Sequence, residues 1–261
     1  MRNLDKYKGV IPAFYACYDK EGNISPEGVQ ALTKYFIEKG VKGVYVNGSS
    51  GECIYQSVED KKIVLENVMK AAEGKLTVIA HVACNNTKDS QELARHAESL
   101  GVDAIAAIPP IYFHLPEYAI AQYWNDISAA APNTDFVIYN IPQLAGVALT
   151  MNLFDEMRKN PRVIGVKNSS MPVQDIQMFK AVAGEDYVIF NGPDEQFMSG
   201  RVIGAEGAIG GTYGVIKAML KINEGLELGG VREPLPALIE SDMAIVEEAA
   251  KMVRDAKEKF L

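Results

Sequence analysis

Short apolar runs alternate with longer amphipathic stretches along most of this chain. The runs are typical of buried β-strands, because they are brief, rich in β-branched residues and bounded by glycine, proline or polar residues. The pattern predicts eight strands, at 9–17, 43–48, 77–83, 104–110, 136–141, 163–166, 187–190 and 207–210.

The stretches between these runs carry start and stop signals of α-helices. Ser25 suits an N-cap, Pro26 suits the first helical position, and Gly40 lies past the predicted end. Ser57 and Asp60 have the spacing of a capping box. Later helices are predicted to start at Thr87, Pro116, Thr150, Pro172 and Asp194.

Alternation of strands and helices predicts parallel strands with helices packed outside them. Eight such units in 261 residues fit a (β/α)8 barrel, the TIM barrel. The alternative is a doubly wound open sheet, which more often has a glycine-rich dinucleotide fingerprint after its first strand; none is present. We therefore expect one domain over 1–261, with a barrel at 1–213 and a C-terminal helical segment at 214–261.

Composition narrows the range of partners. A net charge of −8 and a pI of about 5.1 argue against nucleic acid or an anionic membrane as the main partner. The sequence has no membrane-length apolar stretch and no apolar signal core at its start. Its three scattered cysteines predict reduced thiols in a cytoplasmic protein. No motif has the spacing of metal ligands, so we expect no metal.

Lys167 ends the apolar run that begins at Val163. An ammonium is costly to desolvate there, and a lysine that is partly neutral can attack a ketone to form a Schiff base. The alternative is a lysine that extends to solvent or pairs with a carboxylate. On this segment alone, that alternative is favoured.

Active sites of such barrels lie at the C-terminal ends of the strands, which brings other residues towards Lys167. Ser49 and Ser50, set between glycines, could bind a carboxylate through hydroxyls and exposed amides, or could simply cap a turn. Tyr139, on the neighbouring strand, could transfer protons, or could be a core aromatic whose hydroxyl is hydrogen-bonded.

Four motifs occur in order: Gly48-Ser-Ser-Gly-Glu52, Tyr139-Asn-Ile-Pro142, Gly165-Val-Lys167 and Gly210-Gly-Thr-Tyr213. Each alone is a weak signal. Together, over most of the chain, they resemble the N-acetylneuraminate lyase / dihydrodipicolinate synthase family of class I pyruvate aldolases. The resemblance implies a TIM barrel and a Schiff-base lyase that needs no cofactor.

The resemblance also implies roles for single residues. Lys167 would form the Schiff base with pyruvate or with the 2-keto group of the substrate. Ser49 and Ser50 would bind the α-carboxylate, and Tyr139 would move protons during carbon–carbon cleavage. Tyr112 would be presented near the site of a neighbouring subunit.

The residues after Tyr139 bear on the branch of the family. Synthases usually carry an arginine there for a second carboxylate, whereas 143–146 has none and Leu144 fits the lyases. Gly211 stands where a serine is expected. Positions for a polyhydroxylated tail are matched by Ser169, Gly192, Asp194 and Glu195. The two carboxylates would also suit a helix N-terminus.

The resemblance therefore implies cleavage of N-acetylneuraminate, a 2-keto acid, to pyruvate and N-acetylmannosamine. Two alternatives stay open. One is an aldolase for another 2-keto-3-deoxy sugar acid, and the other is a cropped barrel with impaired catalysis.

The chain departs from the family pattern after strand eight. Two helices normally follow there, but Tyr213 leads at once into the stretch that resembles the late helices. We expect the helix at 215–222 to take over part of the eighth helix's position, or a partner chain to cover the gap. Lost contacts would favour a homodimer over a tetramer.

Overall fold

The computed structural model describes residues 3–211 and 214–260, so Thr212 and Tyr213, the end of the fourth motif, lie outside the described residues. The eight strands are β1 (Gly9–Val10), β2 (Gly43–Val46), β3 (Thr77–His81), β4 (Ala104–Ala107), β5 (Asp135–Asn140), β6 (Val163–Asn168), β7 (Val188–Asn191) and β8 (Gly207–Ala208).

All neighbouring strands pair in parallel, in the order β1-β8-β7-β6-β5-β4-β3-β2. Backbone hydrogen bonds join the two ends of this sheet: Lys42 N–H donates to Val10 O at 2.9 Å, and Phe14 N–H donates to Tyr45 O at 2.8 Å. The predicted TIM barrel is confirmed. Of the first predicted strand, 9–17, only Gly9–Val10 forms a regular strand. The residues after it still make backbone hydrogen bonds to neighbouring strands, but not in a continuous ladder.

Side-chain caps fix several helix starts. Ser25 accepts from Gly28 N–H, and Ser57 and Asp60 form the predicted reciprocal capping box. The third helix starts at Thr87 as predicted, with Asn86 as its N-cap. The helices are α1 (Pro26–Glu38), α2 (Val58–Ala72), α3 (Thr87–Ser99), α4 (Glu117–Ala130), α5 (Pro142–Ala145), α6 (Met151–Met157), α7 (Gln174–Ala183), α8 (Phe197–Val202), α9 (Gly214–Glu224) and α10 (Glu240–Phe260). Among the described residues, no helix has both the length and the apolarity to cross a bilayer.

The core has two layers. One lies between the strands and the outer helices, and the other fills the barrel with residues such as Ile11, Tyr45 and Phe190. His81 is buried beside this inner layer, where its Nδ1 lies 2.9 Å from Asn47 O and its Nε2 accepts from Ile108 N–H at 3.4 Å. Burial, helped by nearby lysine charges, lowers the pKa of His81 to about 3.

Helix α9 contributes Ile216 and Leu220 to the outer core layer. It packs on α10, and Glu224 at its end pairs with Lys39, the residue after α1, at 3.0 Å. A buried ion pair between Lys217 and Glu52 also holds it beside the loop after β2. Val10 of β1 is 49% exposed.

Acid unfolding should depend on His81. Because its folded pKa of about 3 lies below the ordinary 6.5, its contribution is complete above pH 6.5 and declines as the pH falls towards 3. The free energy of unfolding should drop by about 1.4 kcal/mol per pH unit from this group alone. Urea titrations between pH 6.5 and 5 should show a shallower slope for His81→Gln. The exposed His114→Gln is the control, and equal slopes in His81→Gln and the parent would contradict the prediction.

Two adjacent residues of the first strand region should differ sharply in their effect on stability. Ile11 is fully buried inside the barrel, so Ile11→Ala should lower the free energy of unfolding by about 2–5 kcal/mol. Val10→Ser should change it by less than about 1 kcal/mol, because Val10 faces solvent. Chemical denaturation measures both. A cost for Val10→Ser as large as that for Ile11→Ala would mean that this face is covered in solution.

Candidate active site

Lys167 lies near the C-terminal end of β6, and it is almost fully buried, with 4% of its surface exposed. Its Nζ is 3.6 Å from the centroid of the Tyr139 ring and 4.3 Å from that of Tyr45. Within residues 3–211 and 214–260, no carboxylate lies within ion-pair distance of this amine. The arrangement in the described chain therefore differs from the solvent-extended or ion-paired lysine considered from the sequence.

Tyr139 is brought to this amine by the pairing of β5 with β6, in which Tyr139 and Lys167 are register partners. Its hydroxyl lies 3.4 Å from Ser49 Oγ. Its ring packs edge-on against both Tyr45 and His81. The phenol thus joins the lysine to the serine loop, as a proton-transferring group would need to.

Tyr45 is a part of the site that sequence reasoning missed. It is a fully buried residue of β2, and burial raises the pKa of its phenol well above the ordinary value, with Tyr139 adding to the effect. Its hydroxyl has no hydrogen-bond partner in the described part of the chain. The only available signal was a tyrosine inside an apolar run, which is equally typical of a core residue.

The loop after β2 holds the predicted carboxylate-binding serines. Ser49–Gly51 form one turn of 3₁₀ helix, and Ser50 Oγ donates to Gly211 O at 3.1 Å. Gly48 is required just before it, because a Cβ there would lie 2.6 Å from the Tyr45 ring. The turn ends at Glu52, whose φ of 58° is left-handed.

Eight of the ten predicted site residues line one cavity of about 170 Å³ at the carboxyl ends of the strands. Sequence reasoning missed several of its other lining residues, including Ile141, Gln143, Met171 and Ile209. The eight are Ser49, Ser50, Tyr139, Lys167, Ser169, Gly192, Glu195 and Gly211.

Asp194 does not line that cavity directly, but its carboxylate packs on the end of β8. A Cβ added to Gly210 would lie 1.7 Å from Asp194 Oδ1, and one added to Gly192 would lie 1.9 Å from Ser169 Oγ. Partial burial raises the pKa of Asp194, as does the neighbouring charge of Glu195. These close approaches require glycine at both positions, 192 after β7 and 210 after β8.

The structure does not bring Tyr112 to Lys167 within one chain. Tyr112 is 85% exposed, and its ring packs edge-on against Phe113 at a surface pocket that also includes Tyr118. Leu144 is also exposed, and it lines a separate cavity of about 620 Å³ that shares Ser49 with the first.

Taken together, these groups can support imine chemistry. The cavity holds an amine that has no carboxylate partner among the described residues, hydroxyls that can hold an anion, and a phenol placed between them. The described residues contain no group of three or more His, Cys, Asp or Glu side chains that could hold a metal ion.

Comparison with known proteins identifies close relatives. The chain is 77% identical to N-acetylneuraminate lyase of Mediterraneibacter gnavus, over 100% of this chain and 97% of that protein. It is 37% identical to N-acetylneuraminate lyase 2 of Escherichia coli O6:H1, over 81% and 69%. The solved wild-type sialic acid aldolase of Ruminococcus gnavus superposes with a TM-score of 0.96 at 76% identity, over 98% and 100%.

The alignment to the first of these relatives is longer than this chain. The alignment to the Mediterraneibacter gnavus protein runs over 305 positions against 261 residues here, which leaves 44 positions without a counterpart. A catalytic lysine mutant of the Ruminococcus gnavus aldolase superposes over 100% of both chains with a TM-score of 0.98 at 75% identity. The elements that remain therefore keep their positions.

A family model supplies the final comparison. The model of the dihydrodipicolinate synthetase family matches residues 6–235, which include all four motifs. The chain belongs to the dihydrodipicolinate synthetase family.

Proposed function

We propose that this chain is an N-acetylneuraminate lyase, which cleaves N-acetylneuraminate to pyruvate and N-acetylmannosamine through a Schiff base on Lys167. The observation that carries the proposal is the contact of buried Lys167 with Tyr139, whose hydroxyl faces Ser49. The 77% identity to an enzyme of that name supports the choice of substrate.

In this reaction the neutral amine of Lys167 attacks C2 of the open-chain substrate, and loss of water gives an imine. Ser49 and Ser50 bind the α-carboxylate and so fix C2 against Nζ. Tyr139 gives its phenol proton to the departing water, and the resulting phenolate accepts the proton of the C4 hydroxyl. The C3–C4 bond then breaks, and its electron pair moves into the protonated imine. The resulting enamine is protonated at C3, and hydrolysis releases pyruvate and frees the amine.

The polyhydroxylated part of the substrate would lie along the ends of β6, β7 and β8. Ser169, Asp194 and Glu195 offer acceptors for several hydroxyl groups. Gly192 and Gly211 leave room beside them. Two carboxylates at this end would also repel an aldehyde that carries a second carboxylate, which favours a sugar over the aldehyde used by the synthases.

We also propose that the chain acts as a homodimer in the cytoplasm. Exposed aromatic residues at Tyr112, Phe113 and Tyr118 form a surface of the kind that pairs with another copy. Pairing there would let Tyr112 approach the site of the neighbouring subunit. All three cysteines are free, which fits a reducing compartment.

Borohydride reduction with pyruvate tests the Schiff base. Peptide mass mapping should place the reduced pyruvate adduct on Lys167 and not on Lys61, which is equally buried and serves as an internal control. Lys167→Met should give no adduct. Tyr139→Phe should still trap pyruvate but cleave N-acetylneuraminate about 10²–10⁴-fold more slowly. A folded parent without an adduct at Lys167 would indicate an impaired barrel.

Substitutions of Asp194 and Glu195, the two carboxylates after β7, test the proposed sugar site. Asp194→Asn and Glu195→Gln should each raise KM for N-acetylneuraminate about tenfold or more, since each weakens charge-assisted hydrogen bonds. Half-saturation by pyruvate in the trapping assay should not change. Glu185→Gln, an exposed carboxylate outside the site, is the control. Robust cleavage of a 2-keto-3-deoxy sugar acid with no cleavage of N-acetylneuraminate would overturn the proposed substrate.

A further inference from the structure

The carboxylate of Glu52 is buried directly after the serine loop, with its side chain only 1% exposed. Three donors from distant parts of the chain converge on it. Lys217 Nζ of α9 lies 2.9 Å from Oε1, while Tyr18 OH and the Arg232 backbone N–H donate to Oε2 at 3.0 and 2.9 Å. The carboxylate that follows the Ser49–Gly51 turn is thus held by residues from the N-terminal and C-terminal parts of the chain.

Lys217 is equally enclosed, with its side chain 4% exposed. Its Nζ also donates to Gly230 O at 2.7 Å and lies 4.9 Å from the centroid of the Tyr18 ring. Hydrogen bonds on both partners offset much of the cost of burying two charges. Removing one partner alone would leave an uncompensated charge in the interior.

The backbone at Glu52 indicates that its carboxylate is needed there. Its φ of 58° is left-handed, a conformation that glycine adopts freely and that costs other residues on the order of 1 kcal/mol. A glycine would relieve this strain but would remove the acceptor for Lys217. The ion pair therefore fixes the turn that carries Ser49 and Ser50.

A second contact fixes the following segment of the same loop. The guanidinium of Arg232 lies 2.5 Å from Asp60 of the α2 capping box and donates to Tyr55 O at 3.2 Å. The C-terminal segment from α9 to Arg232 therefore braces the whole connection between β2 and α2. Ser50, at the other side of the turn, is bonded to Gly211 O.

We propose that Lys217 is a positioning residue for the 2-keto acid. Through its ion pair with Glu52, it holds the Ser49–Gly51 turn in the conformation that binds the α-carboxylate of the Schiff-base intermediate. The same pair keeps α9 on the barrel, although the connection from β8 is short. This inference rests on the proposed function.

Trapping with two ketones separates positioning from general stability. Pyruvate and acetone both need Lys167 to form an imine, but only pyruvate has a carboxylate for the serine turn. In Lys217→Met, the pyruvate concentration that half-saturates trapping at Lys167 should rise about tenfold or more. Trapping of acetone on the same peptide should be unchanged. Lys221→Met is the matched control, because Lys221 lies on the same helix in an exposed ion pair with Glu227.

Unchanged half-saturation by pyruvate in folded Lys217→Met would overturn the inference, and so would equal losses for both ketones. If Lys217→Met does not fold, the double variant Glu52→Gln with Lys217→Met leaves no unpaired charge and should show the same selective loss for pyruvate. A parent protein that traps neither ketone would instead contradict the proposed function, and the inference would fail with it.

Discussion

The proposed chemistry depends on how the amine of Lys167 is buried. Two tyrosine rings enclose it, and no carboxylate in the described chain reaches it. Ring faces attract a cation, by about 2 kcal/mol or more where water is excluded. The enclosure therefore suits the cationic imine of the proposed reaction, and Tyr45 of β2 and Tyr139 of β5 provide it.

The two core layers of the barrel are built from different elements. Backbone hydrogen bonds between β1 and β2, together with inner residues such as Ile11 and Ile209, close and fill the barrel without any helix. Covering helices contribute to the outer layer only. Val10 of β1 is half-exposed, whereas the strand ends that line the cavity belong to the closed barrel.

Most of the fold and most of the site could be predicted from sequence, because the signals are local. Capping serines, strand-bounding glycines and the motif that ends in Lys167 each lie within a few residues. Tyr45 could not be separated from ordinary core residues, because an inward tyrosine on a buried strand has the same pattern in either role. The ion pair that holds α9 could not be predicted from sequence, because Lys217 and Glu52 lie 165 residues apart and join only in the folded chain.

The glycines at the end of β8 differ in what they permit. Position 210 is closed to any side chain, since a Cβ there would collide with Asp194 and approach Gly192 O at 2.9 Å. At position 211 the nearest atoms are the Tyr15 hydroxyl at 3.1 Å and Ser50 Oγ at 3.3 Å, so a Cβ there would require shifts of only a few tenths of an ångström. We therefore expect that substitution at position 211 can change the substrate range, whereas position 210 accepts only glycine. A single small side chain at 211 would add a contact beside the serine turn without disturbing the strand.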